Sequence, residues 1–271
     1  ITRSGVDYVD LSADSVISSD WKRKSRWRVG LRVAPDSQAP FPIEITATSG
    51  MQAWTLDGKT RTIARVGGTG VSISMIEVPN ANGIAALGLD SLLVMTDSSY
   101  SPVLLVASTG RVMRRFALPW AFYGRLHPLA RATDLTTDNH GNWAAAFLFG
   151  DGWTVTSRSG RTRTGVYVES TAFPDLLQFD SRNGITTEVL RSTRSAISIA
   201  LNGDKFYVLF GGRTLNRDRV IDEYDVPTAT YVRSYILPER AGRISVVDGD
   251  VFAIGRARPL RILRLRPATS M

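Results

Sequence analysis

The chain has 271 residues, 43% of them hydrophobic and 21% charged, with a formal net charge of +8 and no cysteine. The lack of cysteine excludes disulfides, thiolate catalysis and cysteine-ligated zinc. The longest apolar run, Trp143 to Phe149, is far below the ~20 residues of a membrane-spanning helix.

The basic residues are arginines apart from Lys22, Lys24, Lys59 and Lys205. A basic surplus of this kind favours anionic partners, because arginine pairs bidentately with carboxylates and phosphates. The chain opens on Ile1 rather than Met, which raises the expectation of a removed leader. Residues 1–24 read as an N-terminal extension, acidic and polar up to Asp20 with scattered Val6, Tyr8, Leu11 and Ile17. This segment is expected either as a loose tail or docked along a partner or a flank of the domain.

From there the apolar period is two. In "RWRVGLRV" (26–33), Trp27, Val29, Leu31 and Val33 fall on one face and Arg26, Arg28 and Arg32 on the other. A hairpin pattern then recurs as "WTLDGKTRTIARV" (54–66), "VLLVASTGRVMRRFALP" (103–119), "LLQFDSRNGITTEVLR" (176–191) and "IDEYDVPTATYVRSYILP" (221–238). A second strand pair precedes most copies, at 84–97, 132–149, 197–210 and 243–255. The repeat is therefore four antiparallel strands in roughly 40–50 residues, the spacing of a β-propeller blade. An extra hairpin is expected near 152–169, in the long gap between Gly110 and Gly184. The last unit ends in "PLRILRLRP" (259–267) and lacks one outer strand. The strand at 26–33 is expected to complete it and close the ring, leaving no open seam. The expectation is an all-β, single propeller domain over 25–267 with a tail at 268–271. Six blades are favoured and five are the alternative.

The motifs "WRVG", "TIARVGGTG", "DSLLVMTD" and "GRVMRRFALP" resemble the six-bladed β-propeller proteins related to the NHL-repeat group. In that group an outer hairpin ends in a Gly-rich corner, and a "gDsl-V-D" inner strand and a "Grvvr-f-lP" outer strand follow. The corner here reads "GGTGVSIS", without the proline and acidic residue of the family pattern. The resemblance implies a secreted or periplasmic bacterial type whose members mostly bind partners. Lactonases and lyases that resemble this fold hold a metal or an acid/base pair in the central channel. By that resemblance the candidate ligands are Glu44, Asp134, Asp138 and His140.

The residues themselves argue against most chemistry. Gly67, Gly68 and Gly70 are not followed by the Lys-Ser/Thr and helix of a phosphate loop, so they read as the corner between two blades. No Gly-x-Ser-x-Gly elbow occurs, and only His127 or His140 could serve a nucleophilic serine. No cofactor is expected.

The basic clusters are more telling. Trp21, Lys22, Arg23, Lys24, Arg26, Arg28 and Arg32 come from one end of the chain, and Arg256, Arg258, Arg261, Arg264 and Arg266 from the other. The expected ring closure would set them side by side. Arg158, Arg161 and Arg163 form a third cluster, and "GRTLNRDR" (212–219) a fourth. Trp21, Trp27 and Trp153 lie beside them in sequence, the Trp–Arg mixture of protein interfaces. The expected function is therefore a non-catalytic interaction protein or scaffold. It would be an extrinsic structural subunit, periplasmic or extracellular, at a membrane. A basic face would dock on an acidic protein, on a respiratory, photosynthetic or transport complex, or on anionic lipid head groups. Nucleic acid is not favoured, since no nucleic-acid motif occurs. The alternative is a lactonase-like hydrolase or lyase with its site in the channel.

Overall fold

A computed structural model describes residues 5–10, 15–20, 26–30, 42–47, 52–57, 60–67, 72–138, 140–181, 184–191, 193–247, 249–256 and 262–265. The chain divides into two compact units, Ile1–Leu118 with Leu135–Gly141, and Pro119–Asp134 with Asn142–Met271. The fold is an all-β, five-bladed propeller of antiparallel sheets, the alternative count of the sequence analysis.

In the first unit, β1 (Gly5–Asp10), β2 (Ser15–Asp20) and β3 (Arg26–Gly30) make a three-stranded sheet. The expected N-terminal extension thus carries two strands, and β3 pairs with β2. Residues 31–33 and 257–261, on which the expected closure also drew, lie outside the described residues. The first blade is β4 (Pro42–Ala47), β5 (Ala53–Asp57), β6 (Thr62–Val66) and β7 (Ser72–Glu77). The second is β8 (Ala81–Ala86), β9 (Ser91–Thr96), β10 (Val103–Ala107) and β11 (Val112–Phe116). Between them lies a core of Trp54, Leu56, Ile63, Ile76, Ile84, Leu92, Val94, Leu104 and Val106. These are the apolar positions of each alternating run, turned inward to remove their surface from water.

The third blade runs β12 (Thr133–Thr137), β13 (Trp143–Phe147), β14 (Trp153–Thr156) and β15 (Thr162–Gly165). Next comes a separate two-stranded sheet, β16 (Asp175–Ser181) with β17 (Gly184–Arg191). The fourth blade is β18 (Ala196–Asn202), β19 (Lys205–Phe210), β20 (Val220–Asp225) and β21 (Thr230–Ile236). The fifth shows three strands among the described residues, β22 (Ala241–Val247), β23 (Asp250–Gly255) and β24 (Ile262–Leu265). The core of the second unit is built around Trp153, which packs on Phe206 and Tyr224 with ring centroids 5.0 and 5.6 Å apart.

Two expectations change in this frame. The hairpin at 152–169 is not an extra element, because β14 and β15 complete the third blade. The additional hairpin is β16–β17, whose alternation and Asn-Gly step in the sequence looked like another blade copy. The hairpin at 54–66 also has a different phase. Only one strand, β4, fits ahead of it, so β5 and β6 are the second and third strands of their blade. The glycines after Val66 therefore lead to β7 within one blade and not to the next blade. Of these, Gly67 is buried, and Gly68 and Gly70 lie outside the described residues.

Two turn designs recur. After β10 and after β14, Gly110 and Gly160 take positive φ (86° and 89°), and their N–H groups donate to Ala107 O and Ser157 O. An arginine follows each glycine, Arg111 and Arg161. In the other design, an aspartate accepts both the N–H and the hydroxyl of a threonine three residues on. Asp57 does so from Thr60 at 2.7 and 2.9 Å, and Asp225 from Thr228 at 3.1 and 2.6 Å. These are aspartate turns, in which the side chain replaces a backbone acceptor.

Gly165 stands directly opposite Trp153, and a Cβ there would lie 2.1 Å from the indole ring. Gly165→Ala is expected to destabilise the fold by about 1–3 kcal/mol through overpacking, read as a lower urea midpoint. An unchanged midpoint would contradict this packing.

Candidate functional site

The first strand of each blade ends its sheet on one side, so its backbone needs partners from outside the sheet. Polar side chains on neighbouring first strands supply them. In the first unit, Ala86 N–H on β8 donates to Thr46 Oγ1 on β4 at 3.0 Å, and Thr137 Oγ1 donates to Ala86 O at 2.5 Å. In the second, Ile199 N–H on β18 donates to Asp134 Oδ2 at 3.1 Å. Ile244 N–H on β22 likewise donates to Ser198 Oγ at 3.2 Å.

Asp134 therefore serves the frame, with Arg243 Nη1 4.0 Å from its other oxygen. Asp138 sits in the turn after β12, where its Oδ1 accepts the His140 N–H at 2.8 Å, and His140 is exposed. The side chain of Glu44, on β4, lies outside the described residues. Among the described residues no group of three or more His, Cys, Asp or Glu side chains is arranged to hold a metal ion.

The basic residues separate into engaged and unengaged sets. Arg256 Nη1 lies 3.0 Å from Asp218 Oδ2, a carboxylate only 1% exposed. Arg264 Nε donates to Asp250 Oδ2 at 2.7 Å, and its guanidinium also lies over the Phe252 ring. In the 212–219 loop, Arg219 donates to Leu237 O and Arg213 to Thr193 Oγ1. These cations hold loops and strand ends in place.

By contrast, Arg158, Arg161 and Arg163, on the β14–β15 turn and β15, pair with no described carboxylate. Arg158 and Arg161 are exposed, and the N–H of Arg158 is fixed on Asn142 Oδ1 at 3.0 Å. Trp153, at the start of β14, is wholly buried, so it offers no stacking surface beside the arginines. Trp21, Lys22, Arg23, Lys24, Arg32, Arg258, Arg261 and Arg266 lie outside the described residues, as do the side chains of Arg26 and Arg28 on β3.

Sequence reasoning missed a further basic segment as a site. On β11, Arg114 and Arg115, with Arg111 just ahead of the strand, are exposed and pair with no described carboxylate. The signal was present in "GRVMRRF", where three arginines fall within five residues of an outermost strand.

The fourth blade carries a buried carboxylate cluster with a different character. Glu223, 2% exposed, accepts Arg233 Nε at 2.9 Å and the Tyr235 hydroxyl, and Lys205 Nζ lies 3.8 Å away. Burial, then the hydrogen bond and charge of Glu223, push the Tyr235 hydroxyl up to about 12, so it remains a donor at neutral pH. Neighbouring Asp222 accepts Ser234 Oγ at 2.6 Å. Its carboxyl is raised above the ordinary value, chiefly by burial, with the Ser234 bond opposing and the Glu169 charge adding. The cluster is closed on itself and braces β19, β20 and β21.

No family model matches the chain, and no curated protein matches it. Solved structures do resemble it. Hydrazine synthase of Kuenenia stuttgartiensis covers 98% of this chain and 93% of its own, at 13% identity and a TM-score of 0.57. The Pan2 WD40 domain of Neurospora crassa covers 97% and 79% at 11% identity and a TM-score of 0.55. Virginiamycin B lyase from Staphylococcus aureus covers 93% and 89% at 11% identity and a TM-score of 0.54. At these identities the likeness is one of fold, and it defines the chain as a β-propeller.

Because Asp222 is raised in the folded state, its contribution to stability is fully present below the ordinary carboxylate range. It is lost as pH rises through the raised value. Asp222→Asn keeps an acceptor for Ser234 and removes the buried charge. The variant is expected to be more stable than the parent at pH 7, with the difference vanishing near about pH 3. Urea unfolding at both values tests this, and an equal or lower midpoint at pH 7 would overturn it.

Proposed function

We propose that this propeller works by binding a protein partner and has no chemistry of its own. It serves as an extrinsic structural subunit that docks through basic blade surfaces on an acidic protein or membrane-complex surface. Anionic lipid head groups are a secondary contact. The observation that carries the reading is the contrast between cations: Arg256 and Arg264 are matched by Asp218 and Asp250, whereas Arg158, Arg161 and Arg163 meet no described carboxylate. Guanidinium groups on a hydrogen-bonded hairpin that meet no described carboxylate suit steering and pairing with an acidic surface.

The engagement of Asp134 with Ile199 and of Asp138 with His140 supports binding over channel chemistry, and the likeness to a lyase is one of fold alone. A periplasmic or extracellular site of action, and kinship with the secreted NHL-related type, belong to the same proposal. They rest on the sequence motifs. The partner assembly, respiratory, photosynthetic or transport, is to be identified by experiment.

The test is co-sedimentation with membranes and identification of the retained partner. Wild-type protein is expected to be retained in low salt and released near about 1 M salt, where the screening length falls to about 3 Å. Reversal of Arg158, Arg161 and Arg163 to Glu is expected to abolish retention while leaving the melting temperature unchanged. Full retention by that variant would sink the reading.

A further inference from the structure

β11 closes the second blade on its outer side. The sheet order is β11-β10-β9-β8, and no described strand lies beyond β11. Such an edge presents a row of backbone N–H and C=O groups able to pair with another strand. Residues Arg111 to Arg115 are all exposed, with Val112 at 38% and Met113 at 45%. The strand is charged on both faces. Arg115 stands opposite Leu104 on one face, and Arg114 lies over the Phe116 ring, 4.8 Å from its centroid, on the other. A bulge between Leu105 and Val106 takes Met113 out of register with β10.

The outer edge of the fourth blade is not equivalent. On β21, Arg233 is engaged by the buried Glu223 and Ser234 by Asp222. Arg114 and Arg115 on β11, and Arg111 just ahead of it, have no described carboxylate to meet.

We propose that β11 is a docking edge that accepts an extended, acidic segment of a protein partner as a further strand of the second blade. Backbone pairing supplies affinity. Carboxylates opposite Arg111, Arg114 and Arg115, interleaved with apolar side chains against Val112 and Met113, supply selection. The same charges turn away a second copy of this chain, because its own β11 would set arginine against arginine. The proposal is independent of Arg158, Arg161 and Arg163. It concerns a different blade and a different mode of contact, one that uses the main chain.

The probe is a fluorescein-labelled nine-residue peptide alternating Glu with Val and Thr, titrated against the full chain by fluorescence anisotropy. Saturable binding is expected. The Arg114→Glu/Arg115→Glu variant should weaken it at least about tenfold, as for charges lost from an interface. The same peptide N-methylated at alternate residues keeps its charges but cannot complete the ladder, and it should lose binding. The triple reversal at Arg158, Arg161 and Arg163 should bind the peptide like wild type. Absence of binding, equal binding of the N-methylated peptide, or an unchanged affinity in the Arg114/Arg115 variant would overturn the proposal. So would peptide loss in the triple variant, or dimerisation of the chain through β11.

Discussion

The constraint on which the structure rests is the unmet hydrogen-bonding capacity of the first strand in each blade. A sheet edge facing protein rather than water must find partners for its main chain. Here they are side chains from neighbouring first strands. Ala86 is held on both of its polar groups, its N–H by Thr46 and its C=O by Thr137. Asp134 and Ser198 accept the N–H groups of Ile199 and Ile244. The residues that looked most like chemistry in the sequence therefore include one whose carboxylate is structural. A carboxylate with a backbone N–H and a guanidinium beside it has its lone pairs oriented by the frame, and that orientation is set by the frame's needs.

Charge follows a similar logic. A net charge of +8 is not a uniform coat. Where arginine sits near a buried acid, as at Asp218 and Glu223, leaving the carboxylate unpaired would be costly, and the pair forms. Where no buried acid lies within reach, as at Arg158, Arg161, Arg114 and Arg115, no such demand exists and the cation pairs with no described carboxylate. Among the described residues, unmatched arginines include those of the third-blade hairpin and those at β11. Neither depends on the two chain ends that the sequence marked as the main basic face.

Strand content, the four-strand unit and most hairpins were legible because period-two alternation and turn residues act locally. Gly110, Gly160, Asp57 and Asp225 each signal their turn within a few residues. What was not legible depends on counting from an origin. The hairpin at 54–66 has the composition of a third and fourth strand, and only the shortness of the segment before it makes it second and third. The hairpin at 175–191 carries the right alternation and turn, yet no neighbouring strand reaches it in the described residues. The burial of Trp153 was hidden for a related reason. Its proximity in sequence to Arg158 says nothing of which face of β14 it occupies; the ring packs on Phe206 and Tyr224, and Gly165 leaves it room.

The aspartate turns lead to a different kind of statement. Their geometry is closed by two hydrogen bonds between residues three apart, at Asp57 with Thr60 and at Asp225 with Thr228, and Lys205 on β19 holds the second oxygen of Asp225. Such a turn carries most of its own specification within four residues. Lineages descended from this scaffold can trade or redecorate these corners, acquiring new contact chemistry at the rim, while the strand registers beneath stay as they are.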